Sequence, residues 1–416
     1  MPEKLSLSTC ITANRMNKIN LLLIWLFILF INEYKPIHKT SLLLIIIIGI
    51  IYYFKNRSKK IDRDEKHLIL LFLLYFLSFI PSFIVDDHFQ WRHLDHPIRF
   101  MLYIPLIFLF KQIREFTFLK YIFLSSSITG SLIVIVNYFY LDVDRGFYFN
   151  SCISGAQHLQ VLGLFSLVFA LDDKCKRIKH AGWIAYLLSN VAVVCSETRG
   201  VILCIPILFL VTLYFSTRKI NFFRFGAAFF ATSLTLSFAL FHHPRLWERF
   251  DRTVENIEFA FDAKQQDFDH SSSIGIRLLW FKYGIKAFLD YPVLGSGRAG
   301  FKHAMVDSGY PNAYKGQATH SHNQYLSALA MRGLLGFSIL LFFILSLLKI
   351  FLNYHKSGHS AYSLCGIIFI VAYLLYFLTD SPLIGSMHAS RFFIFMVFLL
   401  FYSCKADLDL KRGHEY

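Results

Sequence analysis

The sequence predicts an all-α protein that crosses a membrane many times, and three observations predict it. The chain has 416 residues, of which 56% are hydrophobic and only 17% charged, whereas about a quarter of a soluble domain is charged. Its mean hydropathy is +0.49. The apolar residues form continuous runs rather than alternating with polar ones, so they read as helices; strands there would leave sheet edges unpaired in lipid. Disorder, a coiled coil and a collagen-like rod are excluded. So is a soluble protein with a few buried helices, because 46 phenylalanines are too many to hide in one water-facing core.

A helix needs about 20 apolar residues to cross a bilayer. About twelve runs qualify, near residues 19–34, 41–54, 67–85, 98–110, 118–140, 156–171, 181–196, 200–216, 222–241, 324–352, 361–378 and 390–404. The second, fourth and last need flanking residues to reach full length. This divides the chain into nine helices over 1–241, a large hydrophilic loop over 242–322, three helices over 323–404 and a tail over 405–416. The first run lacks a small-residue cleavage site, so an uncleaved anchor is expected. Orientation follows from Lys and Arg in short loops. With the N-terminus in the cytoplasm, the inner segments hold 24 basic residues and the short outer loops 5. Both termini then lie inside, and the large loop between helices 9 and 10 lies outside, in the periplasm.

The net charge is +15, a balance that often marks nucleic-acid binders. Here the basic residues form no folded face. They sit in short clusters between apolar runs, such as Lys55, Arg57, Lys59, Lys60, Arg63 and Lys66. Anionic membrane lipid is the partner that pattern fits, and no nucleic acid is expected. The seven cysteines show no CxxC spacing, so neither a disulfide framework nor a zinc framework is readable.

The informative polar residues fall on the outer face. Ser196-Glu197-Thr198-Arg199-Gly200 forms a tight turn between two runs; an arginine at membrane depth is costly unless paired, and a guanidinium can clamp phosphate. In the large loop, Ile274, Leu278, Phe281, Ile285 and Phe288 repeat at helical spacing, which predicts an amphipathic helix at the membrane boundary. Arg277 lies near its start, where backbone N–H groups also favour an anion. Gly295, Gly297 and Gly300 predict a flexible turn region after it. His320-Ser321-His322-Asn323 precedes the tenth run; an imidazole there can take a proton, and no third ligand is spaced for zinc. Asp380 follows the eleventh run and can orient a histidine or bind a sugar hydroxyl. Asp142-Val143-Asp144 has the Asp-x-Asp spacing of metal-dependent sugar transfer, a spacing that also arises by chance. The stretch from Asp86 to His96 is rich in Asp and His and reads as a carbohydrate path or a wet loop.

These residues together resemble the lipopolysaccharide O-antigen ligases, a group that also holds O-antigen polymerases. The sharpest match is His322-Asn323, nine residues, then Gly333-Leu334-Leu335-Gly336. Arg199 and Arg277 fill the family's two essential basic positions, and Asp380 takes a further acidic position by its order in the chain. The resemblance implies a fold similar to the C-type membrane glycosyltransferases. It implies transfer of a polysaccharide from undecaprenyl diphosphate to the lipid A–core oligosaccharide, at the periplasmic face of a Gram-negative inner membrane, with no metal or other cofactor. The expected catalytic residues are His322, Arg199 and Arg277, with Asn323, Asp380 and His320 binding substrate. A polymerase shares the donor and uses another lipid-linked repeat as acceptor. A lipid-linked sugar transporter is the reading of a different class; it predicts charged or broken helices at midplane and repeat symmetry, whereas here the polar groups gather on one face.

Overall fold

The computed structural model describes residues 7–31, 35–55, 60–86, 89–113, 116–148, 151–216, 273–307, 320–358 and 360–413. Every regular element among them is helical. In chain order these are α1 (Leu7–Phe30), α2 (Lys35–Lys55), α3 (Arg63–Leu77), α4 (Ile80–Val85), α5 (Ile98–Leu102), α6 (Leu106–Phe110), α7 (Leu119–Phe139), α8 (Cys152–Asp172), α9 (Lys176–Cys195), α10 (Arg199–Ile202) and α11 (Cys204–Phe215). Beyond the undescribed stretch come α12 (Ser273–Asp290), α13 (Gly297–Asp307), α14 (Gln324–Gly358), α15 (Ala361–Tyr376) and α16 (Met387–Gly413).

Eleven of the twelve expected runs coincide with these helices. The run at 222–241 lies outside the described residues, as do 242–272 and 308–319 of the large loop. Among the described residues six helices are long and apolar enough to cross a membrane, and four shorter apolar helices accompany them. The chain is a multi-pass membrane protein. Side chains such as Ile51, Leu70, Leu203 and Phe342 are exposed on its outside, as a surface solvated by lipid tails allows.

The centre of the bundle is α8, which packs against α7, α9, α11, α15 and α16. Small residues permit the closest approach. A Cβ on Gly163 would meet Ser189 Oγ at 1.8 Å, and one on Gly182 would meet the Ser166 carbonyl oxygen at 2.5 Å. Without a hydrophobic drive between helices in lipid, such backbone proximity and van der Waals contact hold the bundle. A polar knot closes one end. Asp62 and Glu65 form a capping box at the start of α3. Glu65, fully buried, also accepts from Lys111 (2.8 Å), Tyr402 (2.9 Å) and Lys405 (3.1 Å), and Lys405 also pairs with Asp62.

Two features of the large loop differ from expectation. The glycine-rich stretch is the start of α13: Gly295 and Gly297 take positive φ (77° and 75°) and turn the chain into the helix. The amphipathic helix forms as α12, but its protein-facing side is Leu279, Trp280, Tyr283 and Ala287, which pack with Ala330 and Met331 of α14. Ile285 and Leu289, from the apolar stripe or beside it, stay exposed. Periodicity located the helix and not the side its neighbours would cover.

The Gly-x-x-Gly of α14 has a physical reason. Gly333 sits at φ 63°, ψ −166°, where the helix breaks. Into the break runs the segment after α12: Leu334 and Leu335 donate backbone hydrogen bonds to Pro292 and Val293 (2.8 and 3.2 Å), and Ser296 donates to Ala330 (3.0 Å). A Cβ at Gly333 would meet the Val293 oxygen at 2.2 Å, and one at Gly336 would meet Arg332 Cβ at 2.1 Å. Gly333 therefore admits the loop, and Gly336 makes room for the Arg332 stem. Gly333→Ala is expected to lower stability by about 1–3 kcal/mol from backbone strain alone. A clear drop in the Tm of detergent-purified protein checks this; an unchanged Tm contradicts it.

Candidate active site

The first turn of α14 and the loop between α15 and α16 are stitched together, and this places His322 beside Asp380. Gln324 donates its backbone N–H to Phe377 (2.9 Å) and Asp380 (3.0 Å), while its side-chain oxygen accepts from Leu383 N (3.0 Å). The hydroxyls of Ser321, Ser327 and Ser381 form a buried chain at 2.7 and 3.0 Å. Asn323 caps α14: its Oδ1 accepts from Leu326 N (2.9 Å), and its Nδ2 donates to the Leu378 carbonyl (3.1 Å). Both ends of that amide are engaged in the fold, next to His322.

His322 itself takes a left-handed backbone (φ 48°), a strained choice for histidine of the kind found at functional sites. Its ring stacks on Trp280 of α12, centroids 4.4 Å apart and 18° from parallel. The His320 ring lies 4.2 Å away on the same chain segment. His322 Nδ1 faces Asp380 Oδ1 at 3.5 Å, longer than a good hydrogen bond, as resting catalytic pairs often are. The other Asp380 oxygen accepts from Gln157 Nε2 of α8 (3.3 Å). Burial raises the Asp380 pKa, but the hydrogen bond from His322 and the adjacent imidazoles outweigh it, and the carboxyl ends below its ordinary value. His320 is driven down to about 3 by burial and by His322, so it is uncharged at neutral pH.

Arg277 neighbours the same carboxylate, and the Arg199 turn packs against its loop. Arg277, one turn before Trp280 on α12, is half-buried. Burial lowers its pKa, Asp380 opposes that, and Arg145 adds to it; Asp380 and Arg145 are thus its charged neighbours. Arg199 opens α10, half-buried. The next residue, Gly200, packs so tightly on Thr379 that a Cβ would lie 2.4 Å from Thr379 Oγ1, which sets the Arg199 turn against the Asp380 loop. Arg145 fastens this turn: its Nε donates to the Ser196 carbonyl (2.7 Å) and its Nη2 to Thr198 Oγ1 (3.0 Å). Glu197 accepts from Tyr138 (2.9 Å).

All six expected site residues therefore lie on elements that converge around Asp380. Three contributors were not assigned a role from sequence: Arg145, Gln157 and Trp280. Trp280 alone carried a usable signal, standing three residues after Arg277 and so on the same helical face. Asp142 and Asp144 are exposed. They flank a tight turn with positive φ at Asp142 (51°) and Arg145 (55°), which aims Arg145 at the Ser196–Thr198 turn. The absence of a third zinc ligand in the sequence spacing needs correction: Asp380 supplies one through the fold, and donor atoms of His320, His322 and Asp380 lie within 4.8 Å of one another. Those three are the residues that could hold a divalent ion.

Comparison with known proteins finds a similarity over part of the chain. Residues 184–341 match the O-antigen ligase family. The match takes in Arg199, Arg277 and the motif from His322 to Gly336. Members of that family are ligases and polymerases of the membrane glycosyltransferase type. A protein of Haemophilus influenzae described as uncharacterized is 28% identical over 399 residues, covering 91% of this chain and 96% of its own length.

Proposed function

We propose that the protein is an O-antigen ligase of the inner membrane, joining polysaccharide from undecaprenyl diphosphate to the lipid A–core oligosaccharide at the periplasmic face. The observation that carries this reading is the pairing of His322 with buried Asp380 beside Arg277 and the Arg199 turn: a base and its orienting carboxylate next to fixed cations.

The chemistry needs those groups. The acceptor hydroxyl attacks the anomeric carbon as the bond from that carbon to the diphosphate oxygen breaks. The bonding electrons leave with the diphosphate, whose growing charge Arg199 and Arg277 stabilise in a poorly hydrated site. The hydroxyl proton passes to His322. Because Nδ1 faces Asp380, the base is Nε2, and Asp380 stabilises the imidazolium that forms. Attack from the face opposite the leaving diphosphate inverts the anomeric centre. The two cations take the place a divalent ion fills in sugar-nucleotide enzymes, so the reaction runs without metal, and His320 and Asn323 shape the acceptor side of the base.

The competing polymerase reading keeps the donor and changes the acceptor. Deletion of the gene separates the two. Loss of a ligase leaves bare core and accumulates lipid-linked polymer. Loss of a polymerase leaves core carrying a single repeat unit, and that phenotype contradicts the proposal.

A further inference from the structure

A second cationic site adjoins the first. A small cavity opens between α4, the 3₁₀ turn Trp91–Asp95 and α14, lined by His93, His96, Arg298 and Arg332 together with Phe79 and Ile384. Among the described residues no carboxylate lines it. Arg332 is the unusual member. It is 2% exposed; its Nη1 donates to Ser78 Oγ at 2.8 Å, and its guanidinium lies 4.2 Å from the centre of the Phe79 ring. Among the described residues its Nε and Nη2 make no hydrogen bond of good geometry, and the Tyr75 ring lies 5.0 Å from the guanidinium. A charged guanidinium buried without a carboxylate is costly, and Gly336 is needed to fit its stem. Around the cavity the field is positive: burial drives the His96 pKa to about 2, and the charges of Arg298, Arg99 and Arg391 add to it. The carboxylates close by are Asp86, which accepts from Ala299 N (2.9 Å), and Asp95, beside Arg99.

The two cationic groups have different neighbours. Arg277 has Asp380 and Arg145 as neighbours, whereas Arg298 neighbours His96 and His320. Among the described residues the two groups meet at the His320–His322–Asp380 cluster. We propose that the Arg298–Arg332 cavity is a seat for a phosphate group on the acceptor, which holds the acceptor hydroxyl against His322. The assignment to the acceptor rests on the proposed ligase reading, in which the donor diphosphate occupies Arg199 and Arg277. An anion seat on the other flank of the base then falls where the attacking sugar must lie. The donors of Arg298 and Arg332, beside the rings of His93 and His96, suit a phosphoryl group, whose oxygens accept several charged hydrogen bonds at once.

The test uses full-length protein in nanodiscs and a phosphorylated lipid A–core glycolipid, alongside the same glycolipid after phosphatase treatment. Binding is measured without donor, and acceptor and donor KM are measured with it. Wild type is expected to bind the phosphorylated form about tenfold more tightly, the worth of one charged hydrogen bond. In Arg298→Gln that preference falls toward one, and Arg298→Lys retains part of it. Arg298 is half-exposed, so this variant folds where a change at buried Arg332 can fail. A wild type that does not distinguish the two acceptors overturns the proposal. So does an Arg298→Gln variant that keeps the full preference, or one whose defect appears in donor KM alone, which would give the seat to the donor diphosphate. Because binding is read without turnover, phosphate-selective binding with no glycosidic product refutes the ligase reading and leaves the seat standing, while transfer without selectivity does the reverse.

Discussion

His322→Ala reduces transfer by about 10²–10⁴-fold, the range expected when a positioned general base is removed. The alanine variant keeps the acceptor seat and the arginines, so acceptor and donor KM change far less than kcat. The local backbone supports that separation. His322 stands outside the helix, at positive φ between His320 and the Asn323 cap, and the serine chain and Gln324 hold the loop without it. Loss of the ring removes the stack on Trp280 and leaves the α12–α14 contact through Leu279, Tyr283 and Ala287. The measurement is single-turnover transfer of labelled polysaccharide, with Tm as a folding control. Wild-type rates in a well-folded His322→Ala protein contradict the base assignment.

Asp380→Asn has the second-largest expected effect, about 10²–10³-fold in kcat, smaller than loss of the base because water and the remaining imidazole still accept a proton. The change removes the charge that stabilises the imidazolium and the acceptor that selects the Nδ1–H tautomer. It also sets an amide against Gln157 Nε2, which donates to Asp380 Oδ2. Donor then faces donor unless the amide flips, and a flip turns its NH₂ on His322. Acid stability gives an independent readout. The folded carboxyl titrates below its ordinary value of 3.8, so its contribution is complete above the unfolded pKa and is lost as pH falls through the folded one. Wild type should therefore lose stability below about pH 4 more steeply than Asp380→Asn. Parallel acid-unfolding curves would contradict the charged state assigned to Asp380.

How far the sequence reaches can be judged from these residues. Continuous apolar runs gave eleven helices close to where they stand, because lipid leaves the backbone few alternatives. His322, Asn323 and the two glycines were readable because they sit in one local motif. Arg199 stood out because an arginine at membrane depth is costly unless paired, and Arg277 because it lies near a helix start that favours an anion. The rest depends on contacts far apart in sequence. Gln157 lies in an ordinary apolar run, and only α8 packing beside the α15–α16 loop brings it to Asp380. Arg145 stands in a short outer loop like any snorkelling arginine until its turn aims it at Ser196 and Thr198. Arg332 closes the nine-residue spacer of the motif, where the pattern counts residues without reading them. The protein-facing side of α12 was not legible for the same reason: its apolar residues face two media, lipid and protein, and periodicity does not tell them apart.

The central claim is that this site moves a lipid-linked polysaccharide onto core sugar with His322 as base and no metal. Purified protein in nanodiscs, given labelled undecaprenyl-diphosphate polysaccharide and lipid A–core in EDTA, measures it directly. The account predicts label on the core glycolipid with wild type and almost none with His322→Ala. Label that instead lengthens the lipid-linked polymer while the core stays bare, or core labelling that stops on chelation, contradicts it.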